Sequence, residues 1–262
     1  MDRRTLVKSA MTMAGTATWA AMSAAEANAA PATQEYYELR KFTLRTGPQL
    51  ALTQSYFEHA LIPALNRLGI ASVGAFRLDI GPETPTFFLL IPSSSANTLT
   101  TLESSLRADG EYAHAAQPFL SAPAATPAFD RVESSLLAAF SGWPKLALPK
   151  TPKRIFQLRT YESPTIAAHQ RKVQMFNDAE IAIFTKTGLN PVFFGDTIFG
   201  PRMPSLTYML TFADVPELND HWRTFVTSPE WKQLSSQPEL ADAEIVSNIS
   251  NLYLSPLSCS QI

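Results

Sequence analysis

The sequence predicts an α+β protein in which one β-α-β-β-α-β unit is written twice in a single chain. Two phrases point to this: "GPETPTFFLLIP" at residues 81–92 and "GPRMPSLTYMLTF" at 200–212, both a Gly-Pro-x-x-Pro turn running into an apolar strand. Their glycines, Gly81 and Gly200, are 119 residues apart. That offset also carries Leu39-Arg40 onto Leu158-Arg159, Phe57 onto Phe176, Gly69 onto Gly188, Leu99 onto Leu218 and Glu111 onto Glu230. A repeat of this length is a duplicated domain, because solenoid units run ~20–50 residues.

The elements follow in order. "YYELRKFTL" (36–44) and "RIFQLRTYE" (154–162) have the alternation of strands. The first helix of each unit opens at Gly47-Pro48 or Ser163-Pro164, where proline suits the first turn and serine can cap. Leu50, Phe57, Leu61, Leu65 and Leu68 recur at helical spacing up to Gly69, which is placed to end the helix. Phe176, Ile183 and Phe184 repeat the pattern before Gly188. Two strands joined by the Gly-Pro turn come next, 71–80 with 86–92 and 190–199 with 205–212. Helices are expected near 97–109 and 216–226, shorter ones at 111–117 and 230–236, and closing strands at 129–140 and 244–254. This is the ferredoxin-like order. Its helices cover one sheet face, so the two sheets should pack on each other within the chain.

The boundaries read as an export signal over 1–29, a first repeat over 30–140, a linker over 141–153 and a second repeat over 154–262. "MDRRTLVKSA" resembles a twin-arginine signal, a mildly apolar stretch follows, and "AEANAA" offers small residues for cleavage before Ala30. A periplasmic or otherwise exported location is therefore expected. The linker "SGWPKLALPKTPK" carries three prolines and three lysines.

Composition excludes several classes. The chain has 262 residues, 45% hydrophobic and 17% charged, with a net charge of −2 and no basic block, so nucleic acid is not an expected partner. No apolar run after the N-terminus approaches the ~20 residues of a membrane span. Cys259 is the single cysteine, so neither an internal disulfide nor a thiolate metal cage can form. No H-E-x-x-H, G-x-S-x-G, P-loop or G-x-G-x-x-G motif occurs, and the four histidines lack metal-ligand spacing. Neither metal nor cofactor is expected.

The phrases "ELRKF" (38–42), "PALNRLG" (63–69) and "SPEW" (228–231) resemble the NIPSNAP family, over most of 35–255 and more closely in the second half. The first copy departs at the corner, with Asp109-Gly110-Glu111-Tyr112, and the second has Gln157 where the first has Glu38. The resemblance implies an intrachain version of the dimeric α/β barrel. That superfamily also holds cofactor-free monooxygenases, haem proteins and small stress proteins, so it implies fold more strongly than chemistry.

Alternation puts Tyr37, Leu39 and Lys41 on one face of the first strand and Glu38, Arg40 and Phe42 on the other. The second copy opposes Phe156, Leu158 and Thr160 to Gln157, Arg159 and Tyr161. The greasier Tyr/Phe-Leu face is assigned to the helices, which sends Glu38, Arg40, Phe42, Gln157, Arg159 and Tyr161 between the sheets. An arginine there must be paired or face water. It is either part of a structural network, completed by an acid from another strand or by exposure at the rim, or the lining of a cavity for a small anionic or carbonyl-bearing ligand. Pro63, one turn after His59, either bends the first helix over its sheet or opens a pocket beside that histidine. Three functions remain: binding of a small organic molecule in the barrel; a cofactor-independent oxygenase or isomerase in which Arg40, Arg159 and His59 steady an oxyanion; or a protein-interaction module. Any homo-oligomer is expected to use outer surfaces.

Overall fold

The computed structural model describes residues 34–45, 47–150 and 154–262. The expected export signal, and the last three residues of the expected linker, lie outside them. Eight strands form one closed, antiparallel barrel: β1 (Tyr36–Thr43), β2 (Gly74–Ile80), β3 (Thr86–Ser93), β4 (Arg131–Ala139), β5 (Ile155–Glu162), β6 (Asn190–Phe199), β7 (Ser205–Phe212) and β8 (Asn248–Pro256), in the order β1-β3-β2-β8-β5-β7-β6-β4. The order of strands in the first half, β4-β1-β3-β2, is repeated in the second as β8-β5-β7-β6. The halves join edge to edge, β2 to β8 and β4 to β6, each seam carrying one register shift. Closure leaves no sheet edge unpaired, which removes the hazard of an open edge.

The helices lie outside the barrel. In the first half α1 runs through Pro48–Tyr56, a π-type turn Phe57–Leu61 and Ile62–Arg67, followed by α2 (Ala96–Thr100), α3 (Leu102–Ala108), α4 (Gly110–Ala115) and α5 (Gln117–Leu120). In the second, α6 runs through Ile166–Met175, a π-type turn Phe176–Glu180 and Ile181–Lys186, followed by α7 (Val215–Thr227), α8 (Pro229–Ser235) and α9 (Asp242–Ile245). Local signals act where expected: Gly69 and Gly188 take φ of 81° and 86° at helix ends, a conformation glycine adopts without a Cβ penalty. The cap of α6 is Thr165, which accepts from the Ala168 N–H, rather than Ser163 two residues earlier. The last strand starts at Asn248, four residues later than predicted, because Asp242–Ile245 coils into a helical turn first.

Backbone peculiarities recur at the 119-residue offset. The π-type turns begin at Phe57 and Phe176, the left-handed turn residues are Glu83 and Arg202, and the cis prolines are Pro85 and Pro204. Pro63 sits just after the first π-type turn, but the second forms with Ala182 at the equivalent place. The wide turn is thus a property of how this helix wraps its sheet, not of the proline. His59 is exposed on that turn, away from the lumen.

Candidate functional site

The lumen is divided along its length. One half is filled: Tyr37 packs on Phe193 with ring centroids 5.1 Å apart and Phe76 on Phe156 at 4.7 Å, with Leu90, Leu254 and Ala139 around them. Two segments from outside the strands seal that end. Leu146, between the halves, packs on this cluster, its N–H donating to Glu35 Oε2 at 2.8 Å, and C-terminal Ile262 is fully buried in it.

The other half is a cavity of about 640 Å³ to which all eight strands contribute. An eight-stranded barrel is just wide enough for its side chains to fill it or to leave room for one small ligand, and here the two outcomes occupy opposite ends. The cavity floor is apolar, with Leu39, Leu78, Phe88, Leu158 and Leu252. Above it stands a hydroxyl belt, in which Thr160 and Thr207 share a hydrogen bond of 2.9 Å and Ser205 donates to Thr197 at 3.1 Å. At the rim Lys41 pairs with Glu83 and, at 3.4 Å, with Glu133, while Arg131 reaches Glu83 at 3.4 Å and Glu133 at 3.6 Å. Lys41 holds the Glu83 carboxyl below its ordinary range by hydrogen bond and charge, with help from Arg131 and Arg202. Arg202 donates to Ser250 Oγ at 3.1 Å and lies 3.6 Å from Glu162. The two Gly-Pro hairpins frame the opening, through Pro82, Glu83, Pro201 and Arg202.

These residues are not the ones expected. The face assignment of β1 and β5 is reversed: Tyr37, Leu39 and Lys41, with Phe156, Leu158 and Thr160, point into the barrel, while Glu38, Arg40, Phe42, Gln157, Arg159 and Tyr161 lie beneath the helices. The reason is that both faces of these sheets are buried. Alternation separates two faces but cannot say which meets the helices, and the greasier one packs the narrow lumen.

Under the helices of the first half, the Arg40 guanidinium is held by Glu38, Nε to Oε1 at 2.7 Å and Nη2 to Oε2 at 3.0 Å, and by Glu103 of α3 at 3.0 Å. Ser134 also donates to Glu38, at 2.7 Å. Phe42 packs edge-on against Phe57 at 5.1 Å. Under the helices of the second half, Gln157 accepts from Trp222 Nε1 at 2.7 Å and donates to Asn251 at 3.0 Å. Arg159 donates to the Tyr161 hydroxyl at 3.0 Å and lies 4.7 Å over the Trp222 ring, with no ion pair among the described residues. The Tyr161 and Tyr208 hydroxyls are 3.2 Å apart. Beside them is an ion pair with no sequence signature, Lys172–Glu180 at 3.3 Å, both side chains almost wholly buried. Burial pushes the Glu180 carboxyl up and the Lys172 charge opposes the rise. Both layers are packed, and the cavity lies inside the barrel. The lumen residues Lys41, Thr160, Glu133 and Arg131 went unrecognised because none carries a motif. Their assignment needed the ring of eight strands.

Among the described residues no three His, Cys, Asp or Glu side chains are placed to hold a metal ion, and no helix is long and apolar enough to cross a membrane.

Comparison with known proteins places this geometry. Residues 156–261 match the NIPSNAP family model. No curated protein matches the sequence. Among solved structures, the chain is similar to a candidate monooxygenase from Lactobacillus acidophilus, with 10% identity and a TM-score of 0.57 over 85% of this chain and 94% of that one. It is also similar to an anthrone oxidase-like protein, with 8% identity and a TM-score of 0.51 over 86% and 92% of the two chains. A NIPSNAP-like domain protein from Burkholderia xenovorans aligns with 41% of this chain and 89% of its own at 18% identity and a TM-score of 0.36. At these identities the two longer matches are likenesses of fold.

Proposed function

We propose that this protein binds a small amphipathic organic molecule in the open half of its barrel, the apolar body on the leucine floor and an anionic or carbonyl head at the hydroxyl belt and rim. The carrying observation is the graded lining of the cavity of about 640 Å³, apolar below and polar above. That volume is within the ~300–1,000 Å³ usual for small-molecule sites, which combine apolar walls with a few placed polar groups. Three cations, Lys41, Arg131 and Arg202, line it, paired with Glu83 and Glu133 in the lining and Glu162 just outside it, so a ligand carboxylate would compete with these carboxylates for Lys41 or an arginine. We read the barrel as a duplicated ferredoxin-like unit and the N-terminus as a twin-arginine signal that places this binding protein outside the cytoplasm. Binding is favoured over oxygenase chemistry because neither Arg40, Arg159 nor His59, the residues assigned to an oxyanion, lines the lumen.

Decanoate tests the reading by titration calorimetry. One molecule should bind per chain with a Kd on the order of 10–100 µM, as its size allows. Leu158→Trp, which fills the floor, should abolish binding. Lys41→Met should weaken it about fivefold by unmasking Glu83 and Glu133, about 1 kcal/mol. Absence of binding, or full binding by a folded Leu158→Trp protein, would overturn the proposal.

A further inference from the structure

The end of the barrel that holds the cavity also exposes large apolar side chains. Ile80 and Phe199 end β2 and β6 just before the two Gly-Pro turns, at the same offset as the turns themselves, and are 64% and 68% exposed. Met203 stands in the second turn at 50%, Ile249 borders the cavity, and Val132 lies between the rim residues Arg131 and Glu133. Ile166, 70% exposed, opens α6 three residues after Ser163, whose N–H donates to Pro204 of the hairpin at 3.0 Å. Single exposed apolar residues are ordinary. Six at one end of a barrel, around one opening, form the kind of patch that marks an interaction site.

The charges between them are ordered too. Arg131 and Arg202 are each 53% exposed, while the carboxylates near them are more covered: Glu83 at 45%, Glu133 at 35% and Glu162 at 20%. The arginines are therefore the more exposed members of these ion pairs. Apolar side chains interspersed with exposed guanidinium groups match an interface of acyl chains and anionic headgroups.

We propose that the mouth of the barrel docks on an anionic lipid surface, its apolar ring entering the headgroup boundary and Arg131 and Arg202 meeting lipid phosphates. A second copy seated mouth to mouth would seal the cavity, which is why the lipid surface is preferred; that choice of occupant rests on the ligand-binding reading. Docked this way, the apolar floor opens toward the membrane, and an amphipathic molecule could pass between bilayer and lumen without crossing water.

Sedimentation of the full chain with extruded vesicles tests this. The protein should bind vesicles containing phosphatidylglycerol, bind those of phosphatidylcholine alone weakly, and lose binding as salt is raised. Ile80→Ser with Phe199→Ser should lower the partition coefficient about tenfold, and Arg131→Gln with Arg202→Gln should bring anionic vesicles down to the level of neutral ones. Both pairs replace exposed residues, so thermal unfolding should confirm that they are folded. The Ile80/Phe199 variant should keep its decanoate affinity. Failure of the native chain to sediment, or unchanged binding by either double variant, overturns the docking proposal. So does a native dimer that becomes monomeric in the Ile80/Phe199 variant without any vesicle binding, which would assign the ring to self-association. Loss of decanoate binding in the native chain with vesicle binding intact would instead overturn only the ligand reading.

Discussion

The helix-covered layers of the two halves share a backbone plan and solve one electrostatic problem differently. At the 119-residue offset Arg40 corresponds to Arg159, Glu38 to Gln157, Glu103 to Trp222, Thr53 to Lys172 and Leu61 to Glu180. In the first half two carboxylates grip the arginine, at 2.7 Å and 3.0 Å. In the second both are gone, and the guanidinium rests on the Trp222 ring at 4.7 Å while a separate Lys172–Glu180 pair is buried beside it. The difference teaches that this layer can hold an arginine by either means and does not depend on one particular ion pair. A planar guanidinium can be stabilised by carboxylates or by an aromatic face.

The largest test of this contrast breaks the buried pair. Lys172→Met leaves Glu180 without its cation and should cost about 3–5 kcal/mol in urea unfolding. The double variant Lys172→Met/Glu180→Leu should recover most of that loss, since replacing both members of a buried pair by apolar groups is often neutral. The single variant also has a pH signature. Burial already raises the Glu180 carboxyl, and removing Lys172 takes away the charge that opposed the rise. The folded state then holds a proton that the unfolded state releases, so the variant's stability should fall as pH rises above the ordinary glutamate range. A pH-independent loss would show that the lysine acts through packing alone.

An intermediate effect should separate the two arginines. Arg40→Met strands the covered Glu38, Glu103 being half-exposed and solvated, and should cost about 2 kcal/mol, whereas Arg159→Met breaks no ion pair and should cost under about 1 kcal/mol. Equal losses would remove the distinction between the layers. The smallest effect belongs to Gln157→Glu, which returns a carboxylate to the second half. It keeps the acceptor for Trp222 Nε1 and sets a carboxylate near Arg159, but it gives up the donor to Asn251 and buries the new charge, so gain and cost should cancel to within about 1 kcal/mol. A large gain would mean that Arg159 lacks a partner it needs.

The sequence by itself determined the order of elements, the Gly-Pro hairpins and the helix ends at Gly69 and Gly188, because these depend on short-range backbone preferences and on spacing. It also grouped the first-strand residues correctly, Glu38 with Arg40 and Phe42, and Gln157 with Arg159 and Tyr161. Only the tertiary structure decided which group faces the lumen, since two buried faces of one strand look alike until a helix or an opposing strand covers them. Only it decided which end of the barrel is open. Leu146 and Ile262 fill one end from 116 residues apart in the chain, and the rim of Lys41, Arg131 and Arg202 is assembled from three strands or turns that no local pattern connects. Closure of eight strands is a long-range event, and the site exists only after it.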